Sequence, residues 1–157
     1  MKSISAKDLL DLSVQARAAP RLRRNLNLHD RLDDPVQRLC NALEPRSYVR
    51  PHRHPDGVWE CFVLLHGACV ILVFDDQGRV SDRLELSPEG ATIAEIPAGS
   101  WHGVVALAPQ TRVFEIKPGP YVPGLFCDWA PEEGDARAQA CLDWLERAQR
   151  GENFDHG

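Results

Sequence analysis

The sequence predicts a mainly β domain, a sandwich or small barrel with helices at both ends, and three observations carry the prediction. From Tyr48 to about Lys117 apolar residues alternate instead of recurring at helical spacing. That stretch holds at least seven strand candidates, separated at short intervals by Gly, Pro and Asp. No strand–helix–strand alternation of the kind that builds a parallel sheet occurs.

A chain of 157 residues suits one domain spanning 1–157, with a helical N-terminal arm over 1–45, a β core over 46–119, and an extended arm with a C-terminal helix over 120–157. Leu9, Leu10, Leu12, Val14 and Ala18 predict a first helix from about Ala6 to Ala18, ended by Pro20. A second helix is predicted after it. Asp33 or Asp34 suits the cap, Pro35 the first turn, Val36, Leu39, Cys40 and Leu43 form one stripe, and Pro45 is the stop.

In the β core, VWECFVLLHG and ACVILVFDDQG read as consecutive strands, followed by VSDRLEL, ATIAEIP, WHGVVAL and TRVFEIK. PGPYVPG is too rich in Pro and Gly for regular structure and predicts an extended arm over the surface. The last helix, about Asp135 to Gln149, places Ala138, Cys141, Leu142, Leu145 and Ala148 on one stripe, with Gly151 as its stop.

Net charge is -5 and the basic residues are dispersed apart from Arg21, Arg23 and Arg24, so an electrostatic grip on nucleic acid is not expected and that cluster reads as a solvated face. The five cysteines, Cys40, Cys61, Cys69, Cys127 and Cys141, are scattered without a zinc or redox spacing and read as reduced packing residues of a cytoplasmic protein. Asp8 and Asp11 interrupt the first twenty residues, which support neither a signal peptide nor a membrane span.

The chemistry-bearing residues are His52, His54 and Glu60 in YVRPHRHPDGVWECFVLLHG, with His102 in PAGSWH. On a strand His52 and His54 face the same way, with Tyr48 and Arg50. Read as one hairpin, the segment brings Glu60 to them only through a loop of three or five residues, with Gly57 at positive φ. Three imidazoles and a carboxylate suit Fe, Mn, Ni, Co or Zn and leave room for water or a ligand. His29, His66 and His156 read as ordinary loop, turn and tail residues, and Trp59, Trp101 and Trp129 as packing.

These residues resemble the two motifs of the cupin superfamily, HxH with a downstream Glu and Gly, then PxGxxH. Here they are His52-Arg53-His54, Glu60 and Gly67, then Pro97, Gly99 and His102. The gap before Glu60 is slightly long, Arg46 stands where a Gly is usual, and Ala106 replaces a trailing Asn. NLNLHD, DDPVQRLCNALEPRSYVRPHRHP, VWECFVLLHG, IPAGSWHGVVAL, FEIKPGPY and DWAPEEG together resemble the WbuC-type cupin metalloproteins over roughly residues 22–134.

That resemblance implies an RmlC-like jelly-roll barrel with a metal at His52, His54, Glu60 and His102, and a link to polysaccharide biosynthesis. It implies no particular reaction. Inside such a barrel, where Arg50 and Tyr48 line the interior, Arg50, Glu115 and Lys117 either hold a carboxylate, phosphate or sugar ligand, or form a structural ion pair, or Glu115 and Lys117 face outward; Tyr121 either closes the mouth or packs under the arm. Asn27 and His29 either contribute from the N-terminal arm or serve as caps and loop bonds. Two functions compete: a metal-dependent isomerase, epimerase or oxygenase acting on a small polar molecule, with Glu115, Lys117, Arg50 and Tyr121 as its catalytic candidates; and a non-catalytic binding module whose metal anchors the ligand or is structural. Barrel edges and terminal arms also leave surface for a homodimer.

Overall fold

A computed structural model describes residues 1–154; His156 lies outside the described residues. Two five-stranded antiparallel sheets pack face to face. The first runs in the order β1 (Arg23–Asn27), β2 (Val36–Leu43), β9 (Thr111–Pro118), β4 (Glu60–His66), β7 (Ile93–Ile96). The second runs β10 (Leu125–Phe126), β3 (His52–Arg53), β8 (Trp101–Ala106), β5 (Cys69–Phe74), β6 (Val80–Leu86). The connections interleave, so consecutive segments repeatedly cross between sheets, which is the jelly-roll pattern.

One end of the interior is apolar. Leu43, Phe62, Ile71, Leu86, Ile96, Val104 and Val113 from both sheets meet there. The other end is polar and holds the histidines. Each outer face is covered by a helix. α1 (Ala6–Ala18) lays Leu12 and Ala16 on Cys40 and Ala42 of β2. α2 (Ala138–Arg147) lays Cys141, Leu142 and Leu145 on Val70, Leu72 and Val105. A capping box starts α1: the Ser5 amide donates to Asp8 Oδ2 at 2.7 Å and the Asp8 amide to Ser5 Oγ at 3.2 Å. Its buried stripe is narrower than the sequence predicts, since Leu10 and Val14 face solvent.

The second predicted helix is a strand. VQRLCNAL is β2, and it has both faces occupied: Cys40 and Ala42 lie under α1, whereas Asn41 and Leu43 point into the interior. Burial on both sides erases the apolar–polar alternation that marks a half-exposed strand. Asp34 closes a turn instead of capping a helix, accepting from the Asp30 amide at 2.9 Å, and the Gln37 amide donates to the Leu32 and Asp34 carbonyls. Two strands of the first sheet thus come from the segment read as a helical arm.

The predicted hairpin between His54 and Glu60 is also replaced. β3 pairs with β8 and β10 in one sheet, and β4 with β7 and β9 in the other. The chain crosses the sandwich between them, so loop parity has no bearing on where Glu60 points. Gly57 does take a positive φ, 81°. Gly67 ends β4 at φ 77°, and a Cβ there would fall 2.8 Å from the Thr111 backbone, so conformation and space both require glycine.

Among the described residues no helix is long and apolar enough to cross a membrane. The five cysteines are all free.

Candidate metal centre

The second sheet supplies the imidazoles. His52 on β3 is the cross-strand partner of His102 on β8, and His54 follows immediately after β3. Nitrogens of the three rings lie within 4.8 Å of one another. Glu60, the first residue of β4, faces them from the opposite sheet: its Oε2 is 3.1 Å from His102 Nε2 and its Oε1 3.4 Å from His54 Nε2. All four residues lie in the interior, with Glu60 and His102 almost fully buried.

Backbone carbonyls orient two of the rings. His102 Nδ1 donates to the Ser100 carbonyl at 2.9 Å and His52 Nδ1 to the Arg50 carbonyl at 3.1 Å. A carbonyl only accepts, so in the neutral rings Nδ1 holds the hydrogen and Nε2 keeps its lone pair. The Nε2 atoms of His54 and His102 are buried without a hydrogen-bond partner, even though Glu60 oxygens are near. A lone-pair nitrogen beside a carboxylate oxygen is an arrangement that a cation completes, and a carbonyl holding the distal nitrogen is the usual support of a metal-ligating imidazole. The donor set therefore fits a divalent transition metal.

Electrostatics agree with that fit. Burial pushes the His52 imidazole down to about 3, with the His102 ring acting in the same direction, which leaves the ring neutral and able to ligate. Burial works against ionisation of Glu60, but its carboxyl is still held well below its ordinary range, with the Lys117 ammonium favouring the charge.

Behind Glu60 stands a second layer on β9. Lys117 Nζ is 3.0 Å from Glu60 Oε1 and 2.6 Å from Glu115 Oε1, and the Asn41 amide donates to Glu115 Oε2. Burial and the Glu60 charge push Glu115 up to about 8, against the opposing effect of Lys117. The two buried carboxylates compete for one lysine, so one ionises easily and the other with difficulty. Lys117 keeps its proton: burial disfavours the charge, but Glu115 and Glu60 more than restore it.

A cavity of about 430 Å³ opens onto this group. His52, Glu60, His102, Glu115 and Lys117 line its polar floor, and Leu43, Val49, Phe62 and Val104 its apolar wall. Three residues named from the sequence lie elsewhere. Arg50 donates from Nε to the Ala130 carbonyl at 2.9 Å and from Nη2 to the Cys127 carbonyl at 3.0 Å, and covers the Phe126 ring, so it clips the Pro-rich arm in place. Tyr48 turns outward under α2, its hydroxyl donating to the Pro131 carbonyl. Tyr121 is half-exposed on the arm and borders a small crevice with His54 and Lys117, outside the main cavity.

The lip was missed from sequence. Arg21, Arg23, Arg24 and Asn25, on β1 and the turn before it, border the cavity. The basic trio is therefore not simply a solvated face: the Arg23 side chain is only 18% exposed. The signal that could have found it was the alternation of Arg23, Asn25 and Asn27, three polar residues on one side of an edge strand. Asn41 shows no such signal, because the helical spacing of Val36, Leu39, Cys40 and Leu43 masks its strand.

Several solved structures share the fold. KdgF from Halomonas sp. matches with a TM-score of 0.51 at 20% identity, covering 66% of this chain and 84% of that one. A cupin 2 domain-containing protein from Halorhodospira halophila matches with a TM-score of 0.56 at 16% identity, over 83% of this chain and 85% of that one. The polyketide cyclase RemF from Streptomyces resistomycificus matches with a TM-score of 0.55 at 21% identity, over 80% of each chain. The sandwich is thus a cupin jelly roll with flanking helices. No match is found among the curated proteins. Residues 4–86 match a family model described as a domain of unknown function, DUF6016.

Proposed function

The chain belongs to the DUF6016 family, whose description assigns no activity, and from that premise we propose that it is a metal-binding cupin acting as a metal-dependent enzyme on a small polar, sugar-derived molecule. The observation that carries the reading is the pair of buried, partnerless Nε2 atoms on His54 and His102, set against Glu60 at the floor of an open cavity. His52, His54, Glu60 and His102 would hold the ion. When bound, it supplies Lewis acidity toward a carbonyl or hydroxyl oxygen of the ligand.

The chain's own groups do the rest. The apolar wall of Leu43, Phe62 and Val104 excludes water from one side of the ligand. Asn41 fixes one Glu115 oxygen and Lys117 the other, so the carboxyl is held still at the cavity floor. Glu115 and Lys117 are the groups placed to hold or pass a proton, consistent with isomerisation or epimerisation. The likeness to WbuC-type sequences supports a place in polysaccharide metabolism. RemF is named as an enzyme on this fold, but the fold alone does not select a chemistry.

A second reading is favoured by one observation: no Ser, Thr, Cys or Tyr lines the cavity among the described residues, so no side-chain hydroxyl or thiol stands ready as a nucleophile. The protein would then bind its ligand without turning it over, with the metal as anchor. Anaerobic purification with elemental analysis, followed by turnover assays against sugar nucleotides and small keto acids, separates the two. Metal with turnover supports the enzyme, metal with ligand-dependent thermal shifts alone supports the binder, and natively purified protein devoid of metal refutes both.

A further inference from the structure

The lip of the cavity is built differently from its floor. Arg21 makes a two-pronged bond to Glu133, at 2.7 and 2.6 Å, and Arg23 reaches the same carboxylate while also donating to the Tyr48 carbonyl at 2.9 Å. One carboxylate thus serves two guanidinium groups. Arg24 also borders the cavity, but as the partner of Ala42 it starts from the outer face of β1, and among the described residues it has no ion pair. Two guanidinium groups against one carboxylate leave the inner lip with an excess positive charge, with Arg24 unpaired at its outer edge, on a protein whose net charge is -5.

The arrangement is pre-set. Glu133 holds Arg21 and Arg23 in fixed positions on the arm side, so their remaining donors meet a ligand without first losing side-chain freedom. Asn25 and Asn41, cross-strand partners on β1 and β2, carry amides between lip and floor. A guanidinium cluster at a cavity entrance recognises oxyanions by charge-assisted, often paired hydrogen bonds. The floor has the opposite character, with two carboxylates and a cluster of three imidazoles suited to a metal and to uncharged oxygens.

We infer that Arg21, Arg23 and Arg24 form an oxyanion subsite, so that the ligand is a small molecule with a phosphate or carboxylate at one end, held at the lip, and hydroxyl or carbonyl oxygens at the other, presented to the floor. This rests on the metal-site reading for its floor and on the lip geometry alone for its charge preference. A cavity of about 430 Å³ has room for a monosaccharide with one such group.

The test compares a hexose, its 6-phosphate and its 6-carboxylate by calorimetry, on metal-loaded protein and on chelator-treated protein whose metal content is measured in the same samples. At least one of the two anions is expected to bind about tenfold tighter than the hexose in both forms, with the preference weakening as salt rises. Which anion is preferred identifies the group. Arg24→Gln removes a charge with no structural bond and is expected to cut the preference at least about threefold; Arg23→Gln, checked for an unchanged melting curve, is expected to cut it further. Equal binding of charged and neutral sugars, binding of none of them, or a preference untouched by both variants overturns the subsite. Absence of metal with the charge preference intact overturns the metal reading and leaves the subsite standing.

Discussion

His52 and His102 stand opposite one another in the β3–β8 ladder with their ring centroids 4.5 Å apart, and the His54 ring completes the group at 5.1 and 5.4 Å from the other two. Three imidazoles crowd together in the interior, with ring nitrogens within 4.8 Å of one another. His102→Ala is expected to lower metal affinity by more than roughly tenfold, as loss of a direct ligand exceeds the 10- to 100-fold cost typical of losing only its support. Elemental analysis after dialysis against a fixed free metal concentration reads the change. Full metal occupancy in the variant would remove His102 from the ligand set.

Lys117 is the only cation bridging Glu60 and Glu115 among the described residues. Removing it as Lys117→Met strands two buried carboxyl groups beside each other, a loss on the order of 3 kcal/mol in the metal-free protein. Added metal pairs Glu60 again and should recover part of it. Urea unfolding with and without metal measures the difference; an identical loss in both states would show that Glu60 does not face the ion.

The Glu133 clamp predicts a pH signature. Burial raises the cost of its charge, but the Arg21 hydrogen bond and the Arg23 charge prevail and hold the carboxyl below its ordinary value. A depressed carboxyl contributes stability that is present above the unfolded value near 4.5 and is lost as pH falls through the folded one. The group is about one-third exposed, so the contribution stays below about 1 kcal/mol. Wild type should exceed Glu133→Gln in urea midpoint at about pH 6, and the two should converge toward about pH 3. Parallel curves would mean that the clamp adds nothing to folding.

Thr111 ties the far end of β9 to the turn after Gly67. Its hydroxyl donates its one hydrogen to the Ala108 carbonyl at 2.7 Å, with the Ala68 carbonyl also within reach at 2.9 Å, and accepts from the Ala68 amide, with no exposure to solvent. Thr111→Val keeps the shape and deletes these partners, for an expected loss of about 1–3 kcal/mol. Denaturant unfolding would register it, whereas metal content should not move. A loss of metal alongside would tie this turn to the site, more than its position implies.

The residues of the candidate metal centre could be picked out in the sequence because ligand chemistry is local: an imidazole is an imidazole whichever sheet carries it. The two turns were legible as well, through Gly57 and Pro97-Ala98-Gly99. What was not legible was the partner of each strand. His54 and Glu60 are six residues apart and look like the two arms of a hairpin, yet they lie in different sheets, because strand pairing is decided by distant segments such as β8 for one and β9 for the other. β2 failed for a related reason. Cys40 and Asn41 point in opposite directions and are both covered, one by α1 and one by the cavity, and a strand covered on both faces has no alternation to read. Glu115 and Lys117 were found from their shared parity, whereas Arg50 has the right parity and the wrong surroundings, since the arm's carbonyls capture it.

The crossing between His54 and Glu60 has a temporal consequence. An ion joining residues of two facing sheets cannot gather its ligands until those sheets have closed on each other, and β8, which carries His102, is among the last strands to leave the ribosome. Under the proposed function, metal acquisition would therefore follow folding instead of directing it.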